Sequence, residues 1–305
     1  MTDTDRADPM PWAQARAFIE SAGWVLEDRA DGSVDLRLDG GARIGPMLDR
    51  LPAPDDIVDG HGLLRQAGAG QLDCDLANSV TDNTPTDEVL VGLNWTIVRA
   101  GPLAGIARSP ERGTQGARTV RHGEPIAGRT LAALAGWICS VDPLRRSIGL
   151  AAINAFWNRP DGLDAADNWG LAGFLPPGDG LVIVGGFRAA LKRLPAARII
   201  EREPKGNDIP IEEAGAALAD ARAVAITAQT LMNGSLEPLL PRIVAAGDRL
   251  LVGPSAPVAP PVLDAGLTRV SGLAITDPDA AASFIKETGT MIALDHMTTQ
   301  RELAR

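Results

Sequence analysis

Five short apolar runs in the C-terminal half constrain this chain more than any other feature. They are LVIVGGF (181–187), ARIIERE (197–203), AVAITAQ (223–229), RLLVGPS (249–255) and TRVSGLAI (268–275). Each is rich in leucine or β-branched residues, and helical or turn segments separate them. Runs that are apolar on both faces need cover on both faces. That is the condition of a parallel sheet built from βα units. The expectation for this half is therefore a Rossmann-like α/β domain.

The N-terminal half reads differently. Residues 11–22 carry apolar side chains at a helical period, from Trp12 through Phe18 and Ile19. WVLEDRADGSVDLRL (24–38) is two alternating runs about Asp31-Gly32, a hairpin signal. Residues 39–87 are rich in turn formers, with a short helix expected over 61–68. EVLVGLNWTIVRA (88–100) reads as one or two strands, with Gly92 a bulge or close-approach point. AGIARSP (104–110) is another strand, and 113–123 a loop. GRTLAALAGWICS (128–140) and LRRSIGLAAINAFWN (144–158) read as two helices, the second started by Asp142-Pro143. Its Gly149, Ala151, Ala152 and Ala155 permit close packing. The Pro/Gly/Asp-rich stretch 158–180 marks a boundary. The division expected is an α+β domain over 1–160 with an extension over 1–86, a linker over 161–180, and the Rossmann-like domain over 181–305.

Composition narrows the function. The net charge is −10 with no basic block, which disfavours nucleic acid and anionic membrane as partners. A local cluster at Arg108, Arg112, Arg118 and Arg121 is the one exception to examine. No apolar run is long enough to span a bilayer, and the acidic N-terminus lacks the pattern of a secretory signal, so a cytoplasmic location is expected. Cys74 and Cys139 read as core thiols. His61, His122 and His296 stand isolated, without zinc-site spacing. Asp295-His296 reads as part of a solvated tail. No G-x-S-x-G is present, and only Lys205 lies near a strand end.

Ligands of open α/β sheets bind beyond the carboxyl ends of the strands. That rule selects Gly185, Gly186 and Phe187 after the first run, and Glu201 and Glu203 after the second. It selects Thr227, Gln229 and Asn233-Gly234-Ser235 after the third, and Gly253, Pro254 and Ser255 after the fourth. Gly185-Gly186 fits either an anion site at the next helix or a plain tight turn, since G-G-F-R-A-A lacks the dinucleotide fingerprint. Asn233-Gly234-Ser235 fits either a helix cap or a ligand contact. Asn154, on an otherwise apolar helix, needs a partner: backbone across the domain interface, or ligand.

VGLNWTIVRA, RSIGLAAINA, VIVGGF, EREPKGNDIP, ITAQTLMNGSLEPLL and VGPSAPVAPPVLDAGLTRVSGLAI, in that order, resemble the heavy-metal chelation family. The resemblance runs from about Asp87 to about Gly289, some two thirds of the chain. It implies an enolase-N-terminal-like domain followed by a Rossmann-like domain, with a cleft between them. Carried over by motif, it implies cleft residues Asn94, Trp95, Asn154, Glu203, Thr227, Asn233, Gly234 and Gly253 to Ser255. Glu203 would be the metal-ligating acid. The family's first strand commonly ends in Gly-X-Phe-Pro, whereas Arg188 follows Gly186-Phe187 here. The roles implied are heavy-metal chelation or a part in corrinoid-like metal-cofactor metabolism. The ligand expected is a metal ion, a small metal complex or an anionic small molecule. The scarcity of Cys and His favours a metal that arrives already chelated. Two alternatives stay open: a transferase or lyase acting on a phosphate-bearing, nucleotide-like substrate, and a structural or partner-binding protein. A homo-oligomer, formed through the N-terminal extension, belongs with the second.

Overall fold

The structure is a computed structural model that describes residues 9–13, 15–16, 24–28, 34–38, 43–48, 52–59, 71–110, 126–140, 143–287 and 296–305. The first strands are β1 (Pro9–Pro11), β2 (Trp24–Asp28), β3 (Val34–Leu38), β4 (Arg43–Leu48) and β5 (Ile57–Asp59). β2 and β3 pair antiparallel, as the Asp31-Gly32 signal predicts; β4 adds to β3, and β1 pairs with β5. Helical residues at Trp12–Ala13 and Ala15–Arg16 match the start of the predicted helix. The helix expected at 61–68 and the loop expected at 113–123 lie outside the described residues.

Helix α1 (Gln71–Ser79) precedes a three-stranded antiparallel meander of β6 (Glu88–Val91), β7 (Trp95–Ala100) and β8 (Leu103–Arg108). Gly92 sits in the β6–β7 turn, where its N–H donates to the Trp95 carbonyl at 2.9 Å. A Cβ on Gly92 would meet Ile285 Cγ2 at 2.6 Å, so close approach is what this glycine permits. The segment 128–140, read as one helix, instead divides into α2 (Leu131–Ala135) and a 3-10 turn at Gly136–Cys139. Thr130 Oγ1 caps α2 by accepting from the Ala133 N–H. The tightened turn lies on helix α3 (Pro143–Trp157), where a Cβ on Gly149 would stand 2.3 Å from Ile138 N.

The remaining elements are β9 (Asp164–Ala165), β10 (Leu181–Val184), β11 (Arg198–Glu201), β12 (Ile209–Pro210), α4 (Ala214–Ala219) and β13 (Ala223–Thr227). After them come α5 (Gln229–Met232), α6 (Leu236–Leu239), β14 (Asp248–Val252), α7 (Pro260–Asp264), β15 (Arg269–Ile275), α8 (Pro278–Lys286) and β16 (Thr298–Ala304). The eight strands form one sheet in the order β12-β11-β10-β13-β14-β15-β16-β9. The five predicted runs are β10, β11, β13, β14 and β15, which pair in parallel, and the two-residue β12 adds parallel to β11 at the edge. β10 is buried at every residue, which is the reason its sequence does not alternate. β16 joins β15 antiparallel, and β9, from the stretch read as linker, closes that edge.

In run order these five strands lie second, first, third, fourth, fifth. The direction of winding reverses between β10 and β13, which opens a crevice at their carboxyl ends. The two halves share one core. A continuous buried cluster runs from Leu76, Leu134, Ile148 and Leu150 into Val182, Ile226, Leu251 and Val262. A second joins Trp95, Ile97 and Ile106 of the meander to Leu273, Ile275 and Ile285. The meander is thereby fixed over the strand ends. No helix among the described residues is long and apolar enough to cross a membrane.

Candidate functional site

A cavity of about 270 Å³ opens at the β10/β13 switch. Gly186 and Phe187 line it after β10, Thr227, Ala228 and Gln229 at the end of β13, and Gly253, Pro254 and Ser255 after β14. Trp95 and Arg108 of the meander close the opposite side.

Local structure explains each contribution. Gly185 turns the chain out of β10 at φ +100°, and a Cβ there would stand 2.4 Å from Thr227 Cγ2. Only glycine lets these two strand ends approach so closely. Gly253, at φ +129°, makes the equivalent turn after β14, with Phe187 Cζ 3.5 Å from where its Cβ would be. Phe187 thus lies over bare backbone as an apolar wall. Trp95 and Arg108 are directly opposed partners in the β7–β8 ladder, so their side chains share a face. The Arg108 guanidinium carbon lies 5.4 Å from the Trp95 ring centroid, a cation–π contact.

The C-terminal end of α3 joins the two sides. Asn154 and Asn158 are four residues apart and share a helix face. Asn154 Nδ2 donates to the Ile106 carbonyl at 2.7 Å and to the Ser255 carbonyl at 3.2 Å. Asn158 Nδ2 donates to the carbonyls of Ala256 and Leu273, and its Oδ1 accepts from the Val258 N–H at 2.7 Å. Ser255 Oγ accepts from the Arg108 N–H at 2.9 Å. Behind Arg108, Ser147 Oγ donates to the Arg108 carbonyl at 2.9 Å and shares a hydroxyl–hydroxyl bond with Thr96 Oγ1 at 2.7 Å, and Thr96 Oγ1 also lies within bonding distance of Ser109 Oγ. Both backbone groups of Arg108 are therefore held.

Of the residues expected from sequence, Trp95, Gly186, Phe187, Thr227, Gln229, Gly253, Pro254 and Ser255 come together on the lining. Gly185 forms the turn behind them. Asn154 is wholly buried, and its amide binds backbone across the interface. Asn94 lies outside the lining, with its carbonyl accepting from the Ser109 N–H at 3.0 Å. Asn233 also lies outside it, with Oδ1 accepting from the N–H and Oγ of Ser235 at 3.1 and 2.6 Å. Gly234 follows at φ +69°. Glu203 is exposed in the segment between β11 and β12, away from the lining. Arg188 is paired with Asp208. Burial pushes the Asp208 carboxyl up, but bonds from the Lys205 N–H and Arg188 outweigh it and leave its pKa lowered.

Arg108, Ala228 and Asn158 are residues that sequence reasoning did not place at the site. The signal for Arg108 was its strand position opposite Trp95. For Asn158 it was the four-residue spacing from Asn154.

Two family models match the chain, over residues 74–157 and 174–303, and both are described as "Putative heavy-metal chelation". The chain belongs to the heavy-metal chelation family. Within this family, a solved structure from Desulfitobacterium hafniense DCB-2, of unknown function and assigned to the DUF364 family, superposes with a TM-score of 0.67 at 25% identity. The match covers 78% of this chain and 98% of that one. A second, from Pyrococcus horikoshii, shares the fold at 16% identity with a TM-score of 0.63, covering 78% of this chain and 99% of that one. No curated protein matches the chain.

The family description raises the question of which residues hold a metal. Among the described residues, no group of three or more His, Cys, Asp or Glu side chains converges as a metal site. The cavity lining holds a guanidinium, an indole, a phenyl, hydroxyls and an amide, without thiolate, imidazole or carboxylate. That donor set does not fit a bare divalent cation, which needs anionic or imidazole ligands and would meet the charge of Arg108.

Proposed function

We propose that this protein binds a small metal complex, or the organic chelator that carries the metal, in the cleft between the β10/β13/β14 strand ends and the meander. Metal is then cargo held by its own ligands, as part of metal homeostasis or metal-cofactor metabolism in the cytoplasm. The observation that carries this reading is the placement of Arg108 on the lining. A site with one fixed cation and no acid suits a ligand with negative charge on its surface, whereas a site for a free metal ion requires the opposite sign. The reading takes 1–160 and 181–305 as two domains joined by 161–180. Glu203, exposed outside the lining, has no part in it.

Native mass spectrometry with elemental analysis of the same sample tests the proposal. The expected result is an extra organic mass that carries metal and leaves on denaturation. A Gly186→Phe variant should lose it, because position 186 lines the cleft and a Cβ there meets only the flexible ends of Glu201 and Arg188, at 3.3 and 3.7 Å. Metal retained without an organic mass, or retained in full by the variant, contradicts the proposal.

A further inference from the structure

We infer that Arg108, held against Trp95, is an oxyanion subsite that takes a carboxylate or phosphate group of the ligand. The inference deepens the cleft reading and rests on it. Three observations support it. First, Arg108 is preorganised. Its N–H and carbonyl are bound by Ser255 and Ser147 at 2.9 Å each, and its guanidinium stacks on the Trp95 ring at 5.4 Å. A guanidinium so held presents a planar fork of donors, the geometry that matches two oxygens of a carboxylate or phosphate. Among the described residues no carboxylate pairs with it, in contrast to Arg146 with Asp73, Arg188 with Asp208 and Arg269 with Asp248.

Second, Trp95 is 5% exposed and its indole N–H is buried without an acceptor. Buried donors are rarely left unpaired, and the residue that carries this one lines the cleft. Third, the far wall is Phe187 over Gly253, an apolar surface. A ligand spanning the cleft meets a cation at one end and a ring at the other. The cavity, at about 270 Å³, lies below the roughly 300–1,000 Å³ usual for drug-sized ligands, so the occupant is compact.

The test is isothermal titration of the purified full chain with citrate and, separately, with pyrophosphate. Wild type, Arg108→Gln, Arg108→Lys and Gly186→Phe are compared, each with its melting temperature. Binding of either probe by wild type, weakened about tenfold or more in Arg108→Gln and partly restored in Arg108→Lys, supports the inference. Which probe behaves so distinguishes carboxylate from phosphate. An unchanged melting temperature in Arg108→Gln keeps the loss from being one of folding. If Gly186→Phe abolishes binding while Arg108→Gln leaves it unchanged, the cleft reading stands and the subsite is wrong. If both variants bind as wild type does, both readings fail. Failure of wild type to bind either probe at millimolar concentration overturns the inference, while the mass-spectrometric result decides the cleft reading separately.

Discussion

Replacing Gly105 with alanine adds one methyl group where β8 presses against α3. Its Cβ would stand 2.0 Å from Ala155 N, 2.4 Å from the Ala151 carbonyl oxygen and 2.5 Å from Asn154 C. Ordinary contact begins near 3.4 Å, so α3 must retreat by 3.4 − 2.0 = 1.4 Å. These neighbours are helix backbone and cannot rotate aside. A retreat of that size stretches the Asn154 Nδ2 bond to Ile106, now 2.7 Å, beyond hydrogen-bond range. Overpacking costs about 1–3 kcal/mol and each lost hydrogen bond about 1 kcal/mol. The expected total is about 2–4 kcal/mol, a drop in melting temperature of roughly 4–16 °C in a chain of this size. Differential scanning calorimetry reads it directly. Gly215→Ala is the matched control: it adds the same methyl inside α4, where nothing lies within 4 Å, and should stabilise by about 0.5–1 kcal/mol. If Gly105→Ala melts within about 2 °C of wild type, α3 is not packed against β8 as closely as described.

The other predictions concern buried polar groups. Asn158→Ala strands the Val258 N–H and two carbonyls, at a cost of about 2–4 kcal/mol in urea denaturation. Asn158→Asp should cost more, because its second carboxylate oxygen would face the carbonyls of Ala256 and Leu273; an aspartate variant as stable as the alanine one would show that the loop yields. Burial first, and the charge of Asp73 second, raise the pKa of half-buried Glu237, whose Oε2 has no partner. An acid whose folded-state pKa is raised weakens the fold above that pKa and ceases to do so on protonation. Glu237→Gln should therefore melt roughly 1–2 °C above wild type at neutral pH, after allowance for solvent screening. The gap should narrow as pH falls through the raised pKa of Glu237, whereas a gap that widens on acidification contradicts the assignment.

The parallel strands were legible in the sequence because burial on both faces leaves runs such as Leu181–Val184 with no polar residue. The close packing of α3 was legible in Gly149, Ala151 and Ala155. Strand order was not, since which run lies beside which depends on crossovers that local sequence does not encode. That order is what separates Glu203 from the cleft: β11 lies on the outer side of β10, and its carboxyl end leads away toward β12. Helix α1 was hidden because QLDCDLANS offers little apolar surface beyond Leu72, Leu76 and Ala77. β16 was hidden because TTQRELA is polar, half-buried along most of its length, and ordered by its pairing with β15 and not by its own pattern. Arg108 lies 13 positions after Trp95 and meets it only through the β7–β8 register, which becomes visible once the hairpin is known.

The claim at the centre of this account is that metal reaches the protein as a complex and is held in the cleft. An anomalous-difference map from crystals of the protein carrying its native cargo tests it most directly. The account predicts a metal peak between the Trp95–Arg108 pair and the Thr227 and Gly253–Ser255 loops, enclosed by non-protein density and without a protein side chain in its first coordination sphere. A peak ligated by protein carboxylates, such as Glu203, or located away from the cleft would contradict it.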